Sequence, residues 1–279
     1  MAIVLALVAA FVYGVSDYAG GRTSRRASPF VVSLIAETSV LALLVVVVPA
    51  TSTSTPERAD LAWGAAAGAA GAVGIIALYH VLANGAMTVV APITGVVSAV
   101  VPVAVGLAIG ERPSVLALVG VSMAIVSVAL IGGLIGVPHV RTPVSLAMVA
   151  LLSGASFGLL FVFFDQAGDD SGLWPLLGAR LASGPLLVIA FVATRPHSRI
   201  DRRIAFVAIL VGVLGMSANF FYLLATRRGL LTIVAVVVAM YPASTVLLAT
   251  VFDGERMRRP QLIGLAIAAL ALVMVTIGR

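Results

Sequence analysis

The sequence predicts an all-α integral membrane protein: ten transmembrane helices arranged as two inverted five-helix repeats. Three observations carry that expectation. Of 279 residues, 61% are hydrophobic and 10% charged, where soluble domains run near 45–50% apolar and about 25% charged. The apolar residues form runs of roughly 20, long enough to cross a bilayer as helices, without the strict alternation of barrel strands. Displaced by 144 positions, the chain superimposes Gly85 on Gly229, Thr88 on Thr232, Gly110-Glu111-Arg112 on Gly254-Glu255-Arg256 and Gly120 on Gly264, as an internal repeat does. Each copy holds five spans. An odd number sends the second copy into the membrane from the opposite side. The repeats are expected at residues 1–138 and 139–279.

In chain order, charge, Gly and Pro divide the chain into spans near residues 2–21, 29–49, 61–83, 86–109 and 114–136, then 143–165, 172–194, 204–226, 230–252 and 260–278. The first has no positive segment before its apolar run and is read as a span, not a cleaved leader. Between the second and third, Thr51 to Asp60 is rich in Thr, Ser, Pro and charge and reads as a loop. The fourth and ninth spans end in the Gly-Glu-Arg turns. Glycine closes a helix in the left-handed conformation, and Pro113 and Pro260 suit the first turn of the next helix. Glu111 and Glu255 are thereby expected beside the positive end of the helix that follows each. Pro92 and Pro102 in the fourth span and Pro242 in the ninth are the candidate gating kinks. Ser98 holds the repeat position of Pro242, so the kinks are expected to differ between halves.

Gly64-Ala-Ala-Ala-Gly68 and Gly154-Ala-Ser-Phe-Gly158 have the small-residue spacing that lets helices pack closely. The second also reads Gly-x-Ser-x-Gly, but a serine nucleophile of that kind needs a strand-to-helix elbow, and this copy lies within a helix. An intramembrane hydrolase built on Ser156 is the enzymatic alternative; the expectation is that the chain is not an enzyme and has no catalytic residue.

The net charge of +6 consists of 17 basic residues, every one arginine, against 11 acidic ones. Most arginines lie in short inter-helix loops, where membrane topology and anionic headgroups account for them without a nucleic-acid partner. The absence of cysteine excludes disulfides and thiolate chemistry, and three scattered histidines leave almost no metal ligand set. No cofactor is expected. A nucleotide-binding P-loop is also absent, which excludes ATP-driven transport by this chain alone.

Charge away from span ends is confined to Asp17, Glu37 and Arg180, with His80 the one histidine in that class. Each is costly in lipid and is a functional candidate for that reason. Glu37 and Arg180 stand 143 residues apart, at equivalent places in the second helix of each half. Two roles remain open for them. They neutralise each other as an ion pair, or they line the cavity, Glu37 drawing a cation or proton and Arg180 an anion. Asp17, Glu37 and His80 are expected toward the face reached by the first inter-helix loop, and Arg180, Asn219 and Tyr222 toward the other. That division suits an amphoteric ligand or proton-linked exchange. Tyr13, Tyr79 and Tyr241 are read either as pore lining or as interfacial anchors.

The segment Tyr13-Gly-Val-Ser-Asp-Tyr-Ala-Gly-Gly, Tyr241-Pro242 with the following Gly254-Glu255-Arg256, and the ten inverted spans resemble the EamA branch of the drug/metabolite transporter superfamily over essentially the whole chain. The resemblance implies a multispanning carrier, usually an exporter of small metabolites, amino-acid-like compounds or toxic organic molecules. Its partners would be a small-molecule substrate and membrane lipid, and one chain could suffice. A membrane scaffold or channel without alternating access is the other alternative. The face bearing Met1 holds five arginines, Arg58, Arg112, Arg227, Arg228 and Arg279, and the opposite face eleven. In a bacterial-type cytoplasmic membrane the positive-inside rule puts both termini outside, whereas relatives are usually drawn with both inside.

Overall fold

The computed structural model describes residues 1–24, 26–51, 57–83, 87–131, 144–195, 200–254 and 257–278, with side chains except at 51, 79–83 and 87–92. These residues form helices and no strand. In chain order they are α1 (Ala2–Ser24), α2 (Pro29–Thr51), α3 (Arg58–Ala83), α4 (Met87–Ala108), α5 (Val115–Ile131), α6 (Val144–Asp165), α7 (Trp174–Thr194), α8 (Arg202–Thr226), α9 (Leu231–Ala239), α10 (Pro242–Asp253) and α11 (Arg259–Ile277). Among the described residues, eight segments are long and apolar enough to cross a membrane, and Ile93–Ala108 and Val115–Ile131 are shorter apolar helices. The expected spans coincide with these helices to within a few residues. The end of the fifth span, the repeat boundary at 138, Gly85 and the pair Glu255-Arg256 lie outside the described residues.

The ninth span is broken into α9 and α10. Pro242 has no N–H to continue the helical ladder and opens α10 in its first turn. Ahead of it, Met240 donates to the Val237 carbonyl at 3.3 Å and Tyr241 to that of Val238 at 3.0 Å, tighter i→i−3 bonds that end α9. In the first half, α4 runs through Pro102 without a break. Kinking does differ between these two spans.

Glycines let several helix pairs approach closely. Gly64 and Gly68 of α3 lie so close to Pro175 and Ala179 of α7 that an added Cβ at either would overlap the facing main chain. Gly154 brings α6 onto the main chain of α4 at Thr94 and the side chain of Val97, and Gly158 meets the side chains of Val101 and Pro102. Ser156, between them, is buried within the unbroken helix α6, not at an elbow.

Side-chain contacts identify the two ends of the bundle. At the Met1 end, the Ser114 hydroxyl donates to the Gly278 carbonyl, the Gly168 N–H donates to Asp60 Oδ1 at 3.0 Å, and Arg227 Nη2 donates to Ser171 Oγ at 2.6 Å and the Gly172 carbonyl at 2.8 Å. Burial pulls the Arg227 guanidinium below its ordinary pKa, and the charges of Asp169, Asp60 and Asp170 act against that. At the far end, Arg22 Nη1 bridges α1 to α10 through Asp253 at 2.6 Å.

Candidate functional site

A helix advances about 100° per residue, so α1 presents two faces. Val4, Val8 and Phe11 form its exposed outer stripe. Ala2, Ala6, Ala9, Ala10, Tyr13 and Asp17 lie on the opposite side, toward the bundle. Among these residues exposure rises along the helix: the four alanines are buried, Tyr13 is half-buried and Asp17 is exposed, although Ser16 beside it is buried. The ninth span repeats the gradient, with every residue of α9 buried and none of α10. Enclosure is therefore greatest at the Met1 end, where α9 is wholly buried, and decreases toward the far end of α1 and α10.

Polar side chains meet along the inner wall of the bundle. The Tyr13 hydroxyl donates to Asn219 Oδ1 of α8 at 2.5 Å, and its ring lies 6.1 Å from that of Tyr241 at the α9–α10 break. Glu37 of α2 pairs with Arg180 Nη1 of α7 and accepts the Ser183 hydroxyl on its second oxygen at 2.7 Å. Both members of the ion pair are about nine-tenths enclosed, with side chains 12% and 11% exposed. Arg180 Nε is buried without a hydrogen-bond partner. No described residue pairs with Asp17.

Set against the sequence expectations, Glu37 meets Arg180, and Asn219 meets Tyr13, which lies beside Tyr241; Asp17 stands one turn beyond Tyr13 on α1. The division into an acidic face and a basic face is corrected: Glu37 and Arg180 are in direct contact, so their charges offset one another at one level of the bundle. Tyr222 is placed differently from a lining residue. It is fully buried, its hydroxyl donates to the Phe161 carbonyl at 2.8 Å, and its ring packs 4.7 Å from that of Phe161. It supports the wall from behind. The side chains of His80, Tyr79 and Pro92 lie outside the described set. Pro102 packs against α6 at Gly158, and Pro242 stands at the break above Tyr241.

Sequence reasoning passed over Ser183, although its position three residues after Arg180 puts both on one face of α7. It misplaced Glu111. That carboxylate does not serve the helix that follows it; Oε1 accepts the Leu231 N–H at 2.5 Å, and Oε2 accepts the Thr232 N–H at 2.8 Å and the Thr232 hydroxyl. It caps α9, in the other half of the chain.

The model of the EamA-like transporter family matches residues 1–133 and again residues 144–277. The chain belongs to the EamA-like transporter family. This EamA protein is accordingly a multi-pass membrane transporter of the drug/metabolite transporter superfamily. It is similar in fold to a protein of solved crystal structure, 14% identical, with a TM-score of 0.80 over 99% of this chain and 96% of that one. No curated protein matches the EamA chain by sequence.

Proposed function

We propose that this EamA protein is a secondary exporter that moves a small organic solute bearing a protonated nitrogen, such as an amine or an amino-acid-like metabolite, by alternating access. The observation that carries the proposal is the exposure gradient along the inner face of α1, which ends at Asp17. Glu37 and Arg180 compensate one another, so Asp17 leaves the lining with a net negative charge, and the rings of Tyr13 and Tyr241 add the faces on which a cation rests favourably. A proton competes for the same carboxylate, which is the basis for coupling export to proton entry.

Ten crossings in two inverted repeats, 1–138 and 139–279, are part of this proposal. Its support is that exchanging the halves maps the helix contacts onto one another: α3 with α6 becomes α8 with α1, α3 with α7 becomes α8 with α2, and α5 with α11 and α2 with α7 map onto themselves. The arginine-rich end is read as cytoplasmic, so the less enclosed end of α1 and α10 faces the compartment from which an exporter loads. Membrane lipid surrounds a single sufficient chain in a bacterial-type cytoplasmic membrane.

Flux of radiolabelled amines and amino acids from sealed proteoliposomes tests the proposal. Wild-type and Ser156→Ala protein are expected to carry cargo equally, while folded Asp17→Asn loses flux at least tenfold and loses its response to an imposed pH gradient. Undiminished cation flux in Asp17→Asn would remove the carboxylate from the mechanism.

A further inference from the structure

The α8 and α9 helices are capped in opposite ways. Asp201 directly precedes α8, and its Oδ1 accepts the Ile204 N–H at 2.7 Å. Such a cap travels with its own helix. At α9 the flanking residue is Leu230, which has no capping group, and the orphan N–H groups of Leu231 and Thr232 are served by Glu111, 120 and 121 residues away in the α4–α5 turn. A slot is built for that carboxylate. Gly110 has φ +103°, a left-handed turn that any side chain would strain, and the Glu111 N–H is held by the Gly106 carbonyl at 3.0 Å. At Gly106 an added Cβ would stand 2.5 Å from both Glu111 Oε2 and Thr232 Oγ1. The negative group meets the positive end of the α9 dipole, and α9 is the fully buried segment at the Met1 end of the ninth span.

We infer that Glu111 is the latch of the Met1-end gate: a positioning residue whose carboxylate ties the plug helix of one half to the α4–α5 turn of the other. A cap supplied from across the molecule opposes relative movement of the two halves, which a local cap does not. Opening toward Met1 requires the carboxylate to release both N–H groups and the Thr232 hydroxyl together. The break at Met240-Tyr241 lets α9 move without carrying α10. This role depends on the transport reading only for its meaning; the gate itself is measurable without cargo.

The chain has no cysteine, so single reporters are clean. Ala6→Cys, fully buried on the inner face of α1 near the Met1 end, reads opening at that end, and Gly20→Cys reads the far end. With a water-soluble maleimide on purified full-length protein, Ala6→Cys is expected to be protected and Gly20→Cys reactive. Adding Glu111→Gln raises labelling of Ala6→Cys at least fivefold and lowers that of Gly20→Cys; Thr232→Val shifts both in the same direction by less. Adding Leu230→Asp to Glu111→Gln supplies a local cap, and it restores thermal stability while Ala6→Cys stays reactive. If the local cap also returns Ala6→Cys to full protection, Glu111 is only a cap and the latch is overturned. Unchanged labelling in folded Glu111→Gln overturns it equally. Should Glu111→Gln fail to fold, Thr232→Val decides: no rise in Ala6→Cys labelling counts against the latch, a rise for it.

Discussion

Glu37 and Arg180 are each compensated chiefly by the other, and that makes single and double substitutions diverge. Arg180→Gln leaves the enclosed Glu37 carboxylate with only the Ser183 hydroxyl, a loss of about 3–5 kcal/mol by the usual magnitude for half of a buried pair. Glu37→Gln combined with Arg180→Gln removes both charges and is expected to recover most of the melting temperature in detergent; a double variant as unstable as the single one would show that the pair is not the compensating unit. If the pair only neutralises charge, flux recovers with folding. If either member meets cargo, the folded double variant stays inactive. The charges themselves were legible, because carboxylate and guanidinium are so rare inside these apolar runs. Their contact was not, since nothing local in α2 specifies which residue of α7 it meets. Tyr13 and Asn219, 206 positions apart, were unreadable as partners for the same reason.

At the scale of elements, the spans followed directly from hydropathy because lipid forces each apolar run to satisfy its own backbone. The break in the ninth span was signalled by Pro242, but proline alone did not decide it: α4 accommodates Pro102 without interruption. Pro242→Ala restores an N–H and is expected to join α9 to α10. Thermal stability should hold or rise while flux falls several-fold; unchanged flux would mean the break is dispensable. At the α3–α7 contact, Gly68→Ala puts a methyl into the Ala179 main chain and is expected to destabilise by about 1–3 kcal/mol, read as a lower melting temperature. The equivalent change at Gly21, which has open space, serves as the control and should be nearly neutral.

For the whole molecule, two copies were legible from the internal repeat, and the family model matches the chain twice, at residues 1–133 and 144–277; inversion is what an odd number of spans per copy predicts. Which end is the more enclosed was not legible, because it depends on how the helices pack and not on the composition of any one of them. Orientation is settled by labelling intact cells at Thr53→Cys, in the segment between α2 and α3. The arginine bias predicts reaction from outside; reaction only after permeabilisation reverses the assignment, and with it the compartment from which cargo loads. One further consequence lies in the α3–α7 contact, where Gly64 and Gly68 meet Pro175 and Ala179. Glycine, alanine and proline have no rotamers to lose, whereas each leucine or isoleucine immobilised there would cost about 0.5–1 kcal/mol of side-chain entropy. In a bilayer, burying apolar surface gives no drive to associate. At these four residues the seam is therefore held by close dispersion contact with no entropic opposition from their side chains, and contact there can be re-formed without any of the four having to find a new conformation.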